Sequence, residues 1–118
     1  MPYSPATVER LFKVLGDVSR LRILQALEGG ERSVSEILDQ TGLAQTLASF
    51  HLRTLREAGV VTSERRGPFI YYRLADPSLP NLLEACGRYS ETLREARPVQ
   101  FEWPAWDAMC RMMRTRRR

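Results

Sequence analysis

The sequence predicts a mainly α-helical domain that carries one small β-hairpin, and three observations support this. Apolar residues recur at helical spacing from Val8 to Ala58. The period then shortens to that of strands over Val60-Val61-Thr62-Ser63 and Phe69-Ile70-Tyr71-Tyr72-Arg73-Leu74. Helical spacing returns after Asp76.

Each element has its own punctuation. Val8, Leu11, Phe12 and Leu15 form the stripe of a first helix, which Gly16 ends. Asp17 and Ser19 suit the start of a second helix with the stripe Leu21, Leu24 and Leu27, broken by Gly29-Gly30. Ser33-Val34-Ser35-Glu36 is a capping box, in which the serine side chain satisfies a backbone N–H and the glutamate reaches back to the cap. Val34, Ile37 and Leu38 face inward until Thr41-Gly42 turns the chain. A longer helix then runs to Ala58, with Gly59 suited to the left-handed position beyond it.

The two β-rich runs flank Glu64-Arg65-Arg66-Gly67-Pro68, a hairpin loop with a basic tip. Asp76-Pro77 fits the cap and first position of a fifth helix, whose seam includes Leu79, Leu82, Leu83, Cys86 and Leu93. Pro98 ends that helix, and Pro104 opens a short last one with the stripe Trp106, Met109, Cys110 and Met113. Residues 1–97 are expected to form one domain, and residues 98–118 an extension with a basic tail.

At 118 residues the chain suits one domain with a modest core. The formal net charge is +4, and Lys13 is the only lysine, so arginine supplies nearly all the positive charge. Arginine's planar fork matches phosphate oxygens and the guanine edge. No apolar signal-peptide core opens the sequence, and no run approaches the roughly 20 apolar residues that cross a bilayer. The two cysteines, Cys86 and Cys110, do not make a secreted disulfide framework. The expected location is the cytoplasm, with no membrane partner. A glycine-rich phosphate loop and a nucleophile motif are both missing, which disfavours an enzyme.

The most informative segment is Val34 to Arg56: a short capped helix, a tight glycine turn and a second amphipathic helix. On a helical wheel Leu47, Ala48, His51, Leu52, Leu55 and Ala58 share one face, which must pack on the preceding helices. His51 is therefore expected to be a packed, hydrogen-bonded histidine. The other face carries Gln45, Thr46, Ser49, Phe50, Arg53 and Arg56. A helix-turn-helix lays such a face in the DNA major groove. Gln45 has the amide geometry to read adenine, Thr46 and Ser49 suit bases or phosphates, and Arg53 and Arg56 suit phosphate. Phe50 has two readings here, contact with a thymine methyl or cover for a joint with a neighbouring helix.

Three groups of residues together resemble the ArsR/SmtB family of winged helix-turn-helix regulators. The first is Leu11-Phe12-Lys13-Val14-Leu15-Gly16-Asp17 with Ser19-Arg20-Leu21-Arg22-Ile23-Leu24. The second is Leu43 to Leu52 with Leu55-Arg56-Glu57-Ala58-Gly59-Val60-Val61, and the third runs from Arg66-Gly67 to Tyr71-Tyr72-Arg73-Leu74. The likeness covers roughly Val8 to Leu74. It implies the order α1-α2-α3-α4-β-β-α5, a homodimer joined through the first and fifth helices, and repression of an operator relieved by an inducer. Arg65 and Arg66 in the wing would meet phosphate or the minor groove.

The chain departs from the family at its sensing sites. The resemblance places a metal-binding Cys-x-Cys at the start of the third helix, where Ser33 and Ser35 stand; hydroxyls are poor ligands for soft ions. Zinc sensors of the family use Asp and His on the fifth helix, yet the only histidine is His51, and Glu84 with Glu91 make a poor site. Cys86 and Cys110 remain, with two readings. They could hold a soft ion such as As(III) or respond to oxidants and persulfides, or they could simply pack on apolar stripes. Met109, Met112 and Met113 beside Cys110 would tolerate Cu(I), and the last helix could line a pocket for an organic effector. The competing function class is a protein-interaction module, since winged helices also serve as docking units.

Overall fold

The computed structural model describes residues 2–96, and Pro5 sets its first element by preorganising the opening turn of α1, Pro5–Leu15. The Asp17 carboxylate accepts from the backbone N–H groups of Ser19 and Arg20 at 2.9 and 3.1 Å and so starts α2, Val18–Ala26. Ser33 and Glu36 form the expected capping box, both hydrogen bonds at 3.2 Å, and open α3, Val34–Thr41. Gly42, with φ +70°, takes the left-handed position beyond α3, and its N–H donates to Leu38 O at 2.9 Å. The Thr41 hydroxyl braces the same turn, donating to Ile37 O at 2.7 Å and accepting from Leu43 N at 3.3 Å. The helix α4, Gln45–Glu57, follows at once.

The sheet differs from the expected plain hairpin in two ways. A short strand β1, Arg32–Ser33, joins β2, Val61–Arg66, and β3, Phe69–Leu74, in the antiparallel order β1-β3-β2. Ser33 thus pairs with Tyr71 while its side chain caps α3, a double role that a two-residue strand does not announce by period. The hairpin loop is also shorter than expected: Arg66 pairs with Phe69, so Gly67-Pro68 alone turns the chain. Gly67, at φ +61°, supplies the positive φ that a two-residue hairpin requires. Arg65 and Arg66 therefore lie in the strand rather than in a loop.

Residues from α1 to α4, from β2 and β3 and from the start of α5 build one core. Leu15, Ile23, Leu24, Leu27, Ile37, Leu52, Leu55, Val61 and Tyr72 are buried, and Leu79 and Leu83 of α5, Leu79–Ala96, pack against them. Asp76 does not cap α5 directly. Its carboxylate accepts from Ser78 N at 2.8 Å, and the resulting turn over Pro77-Ser78 delays the helix to Leu79. The chain divides into two units within α5, between Leu83 and Glu84. The expected helix after Pro104, Cys110 and the arginine tail lie outside the described residues.

Candidate nucleic-acid interface

The buried stripe of α4 fixes the direction in which its other face points. Ala48, Leu52 and Leu55 are at most 1% exposed and His51 is 6% exposed, which anchors the helix on α2 and β2. At about 100° per residue the outward centre falls at Thr46, Phe50, Arg53 and Glu57, with Ser49 beside them. Gln45 and Arg56 are exposed on one flank. Leu47 and Ala58, expected on the buried face, are both exposed. Leu47 lies at the margin of the stripe, and Ala58 caps the helix beyond its last turn.

His51 is packed and hydrogen-bonded, as expected for a structural histidine. Arg20 Nη1 approaches its Nδ1 at 3.4 Å. The Asp17 carboxylate stands 3.8 Å from Nε2. Arg20 also donates to the carbonyls of Lys13 and Val14, so one side chain ties the end of α1 to α4. Backbone N–H donation from Arg20 holds the Asp17 carboxyl below its ordinary value, with smaller help from the charges of His51 and Arg20. Arg20's joining role is invisible in local sequence, because its partners are helical carbonyls.

On the outward face Phe50 is 62% exposed and touches His51 edge-on, with ring centroids 5.5 Å apart and planes at 69°. Among the described residues it covers no helix joint. Arg53 Nε donates to Glu57 Oε1 at 3.1 Å across one helical turn in solvent, a contact easily exchanged. Thr46, Ser49 and Arg56 are exposed.

The two wing arginines have different surroundings. Arg65 Nε donates to Gly67 O at 3.3 Å, and its side chain is otherwise exposed. Arg66 is held by two carboxylates, Glu31 at 3.0 Å and Glu64 at 2.8 Å, and lies 4.7 Å from the centre of the Tyr71 ring. Its hydrogen bond and charge hold the Glu64 carboxyl below the usual range. Glu31 is 35 residues away in sequence, and only the register of the wing brings the pair together.

On α5 Cys86 is half-buried, and Cys110 is outside the described residues. Among the described residues no three His, Cys, Asp or Glu side chains cluster as a metal site. No helix among them is long and apolar enough to cross a membrane.

Comparison with known proteins agrees with this geometry. The model of a family described as "Bacterial regulatory protein, arsR family" matches residues 17–63. The chain is 35% identical over 79 residues to a probable mercury resistance operon repressor of Streptomyces lividans, an alignment covering 67% of this chain and 63% of that protein. It therefore spans slightly less than two thirds of that relative. It is also 35% identical over 100 residues to the arsenic resistance transcriptional regulator ArsR1 of Pseudomonas putida, covering 84% of this chain and 73% of that one. Among solved structures, the homodimeric winged helix-turn-helix DNA-binding domain Mb0332 of Mycobacterium bovis superimposes with a TM-score of 0.64 at 34% identity, over 77% of this chain and 84% of that one. These relatives are transcriptional regulators and not enzymes. With its fold and these sequence matches, the chain belongs to the ArsR family of bacterial regulatory proteins.

Proposed function

We propose that this chain is a cytoplasmic, homodimeric, sequence-specific repressor that binds double-stranded operator DNA and leaves it when an inducer binds. The observation that carries this is the outward face of α4, where hydroxyls, an amide and two arginines stand exposed on a helix pinned by its buried stripe. Gln45, Thr46 and Ser49 take base edges, Arg53 and Arg56 take phosphate, and Arg65 takes the backbone beside the wing. Arg66 would join them only by exchanging its carboxylates for phosphate. The homodimeric state of Mb0332 supports pairing of two such faces.

The inducer chemistry in this proposal is that of thiols. Cys86 and Cys110 would bind a soft ion such as As(III) or undergo oxidation, and either event would shift the dimer away from its DNA-competent state. Two relatives named for mercury and arsenic resistance, both thiophilic elements, support this direction. The test is a DNA-release assay with arsenite, oxidant and persulfide on the wild type and on Cys86→Ser/Cys110→Ser. The double variant is expected to bind DNA normally and to ignore the inducer; full inducer response in that variant would reject the thiol mechanism. Gln45→Ala/Ser49→Ala is expected to flatten the preference among duplex sequences, and an unchanged preference would move base reading elsewhere.

A further inference from the structure

Phe50 is the one large apolar side chain near the centre of the outward face of α4, and it is 62% exposed. Its position follows from the helix itself, since Ala48, Leu52 and Leu55 are locked into the core on the opposite side. The ring braces edge-on against His51, which Arg20 holds in place, so one side of Phe50 is supported and the other open. Leu47, three residues earlier and 42% exposed, extends the apolar strip along the flank.

The neighbours of Phe50 restrict what can cover it. Thr46 stands one turn before it and Arg53 about one turn after, with Ser49 alongside, all exposed. Its occupant must offer an apolar knob surrounded by hydrogen-bond acceptors and negative charge. The major groove of duplex DNA has that layout, and its only apolar feature is the C5 methyl group of thymine. The +4 charge of the chain favours the same polyanion over an apolar protein surface.

We infer that Phe50 is a specificity-determining residue that reads the 5-methyl group of a thymine in the major groove. The inference rests on the DNA-binding reading above. Phe50 gains by burying the methyl against its ring. Opposite a C·G pair the same ring would cover the cytosine amino group without offering an acceptor, which penalises that pair. Discrimination thus comes from both the gain and the penalty.

The test uses duplexes that the full-length wild-type protein selects from a randomised library, resynthesised with each thymine replaced in turn by uracil. That replacement deletes one methyl group and leaves every hydrogen bond of the base pair. For the wild type, one thymine per half-site is expected to lose about fourfold in affinity on replacement, the worth of one buried methyl-sized group. Phe50→Ala should be indifferent to the same replacement, and Phe50→Leu should keep part of the response. Each protein is titrated against thymine and uracil duplexes at one salt concentration at which its binding is measurable, so weaker binding does not hide the comparison. Unfolding midpoints of both variants should match the wild type, since Phe50 contributes little to the core. The inference is overturned if no single replacement weakens the wild type, or if Phe50→Ala responds as the wild type does. If the wild type selects no duplex at all, the DNA-binding reading fails first, and this one with it.

Discussion

Substitutions at Leu47 and Leu55 separate what the wheel predicts from what packing decides. Both are leucines on α4, but Leu55 is fully buried and Leu47 is 42% exposed. Leu55→Ala should destabilise the fold by about 2–5 kcal/mol through lost burial and a residual cavity. Leu47→Ala should stay within about 0.5 kcal/mol of wild type. Chemical denaturation reads both; equal losses would mean that the assigned face of α4 is wrong. The period of the sequence placed His51, Leu52 and Leu55 inside and Ser49, Phe50 and Arg53 outside, because these lie far from the edge of the stripe. Leu47 lies at its edge, where a few degrees and the reach of neighbouring helices settle exposure, and Ala58 lies beyond the last turn. Local sequence carries no information of that kind.

At the scale of elements, the caps of α2 and α3 were legible, the cap of α5 was misplaced, and long-range charge pairs were the least legible features. The capping box of α3 was written in four consecutive residues, and its two hydrogen bonds are present. Ser33→Ala should cost about 1 kcal/mol of stability, measured by thermal unfolding. The caps also make the fold sensitive to acid. Backbone N–H groups hold the carboxyls of Asp17 and Glu36 below their ordinary values of 3.8 and 4.5. A carboxyl depressed in the folded state stabilises it above the unfolded value and stops doing so as pH falls through the folded one. The unfolding midpoint should therefore hold steady near neutrality and decline once pH drops below about 4.5. A midpoint that rises on acidification would contradict this account of the caps.

The wing shows the opposite case. The sequence announced a basic hairpin tip, but not that Glu31 and Glu64 would take Arg66. Two carboxylates there compete with phosphate for one guanidinium. Glu31→Gln should therefore raise affinity for any duplex and steepen its salt dependence, as read by fluorescence anisotropy across a salt series. Weaker binding in that variant would mean that Glu31 serves DNA binding by positioning the wing.

For the whole molecule the central issue is how two such faces come to act together. Phe12 on α1 is 55% exposed, and Leu82, Tyr89 and Leu93 on α5 are 42%, 67% and 52% exposed. These apolar side chains are expected to be covered in a homodimer that presents two recognition helices to half-sites one helical turn apart. Leu93→Glu should shift the mass in sedimentation toward the monomer. It should also weaken binding to a selected duplex roughly a hundredfold, since two linked contacts become one. A monomeric wild type with undiminished affinity would reject the paired arrangement. The periodic pattern of α1 and α5 identified apolar faces, but a pattern does not say whether its own chain or a second copy covers them.

The most direct test of the account is the salt dependence of duplex DNA binding by the full chain, with Arg65→Ala beside the wild type. Arginine contacts to phosphate release counterions, so the logarithm of affinity should fall steeply and linearly with the logarithm of salt concentration. Arg65→Ala should bind every duplex more weakly and reduce the slope by about one per phosphate contact removed. Absence of duplex binding, or binding indifferent to salt, would contradict the claim that α4 and the wing form a DNA interface.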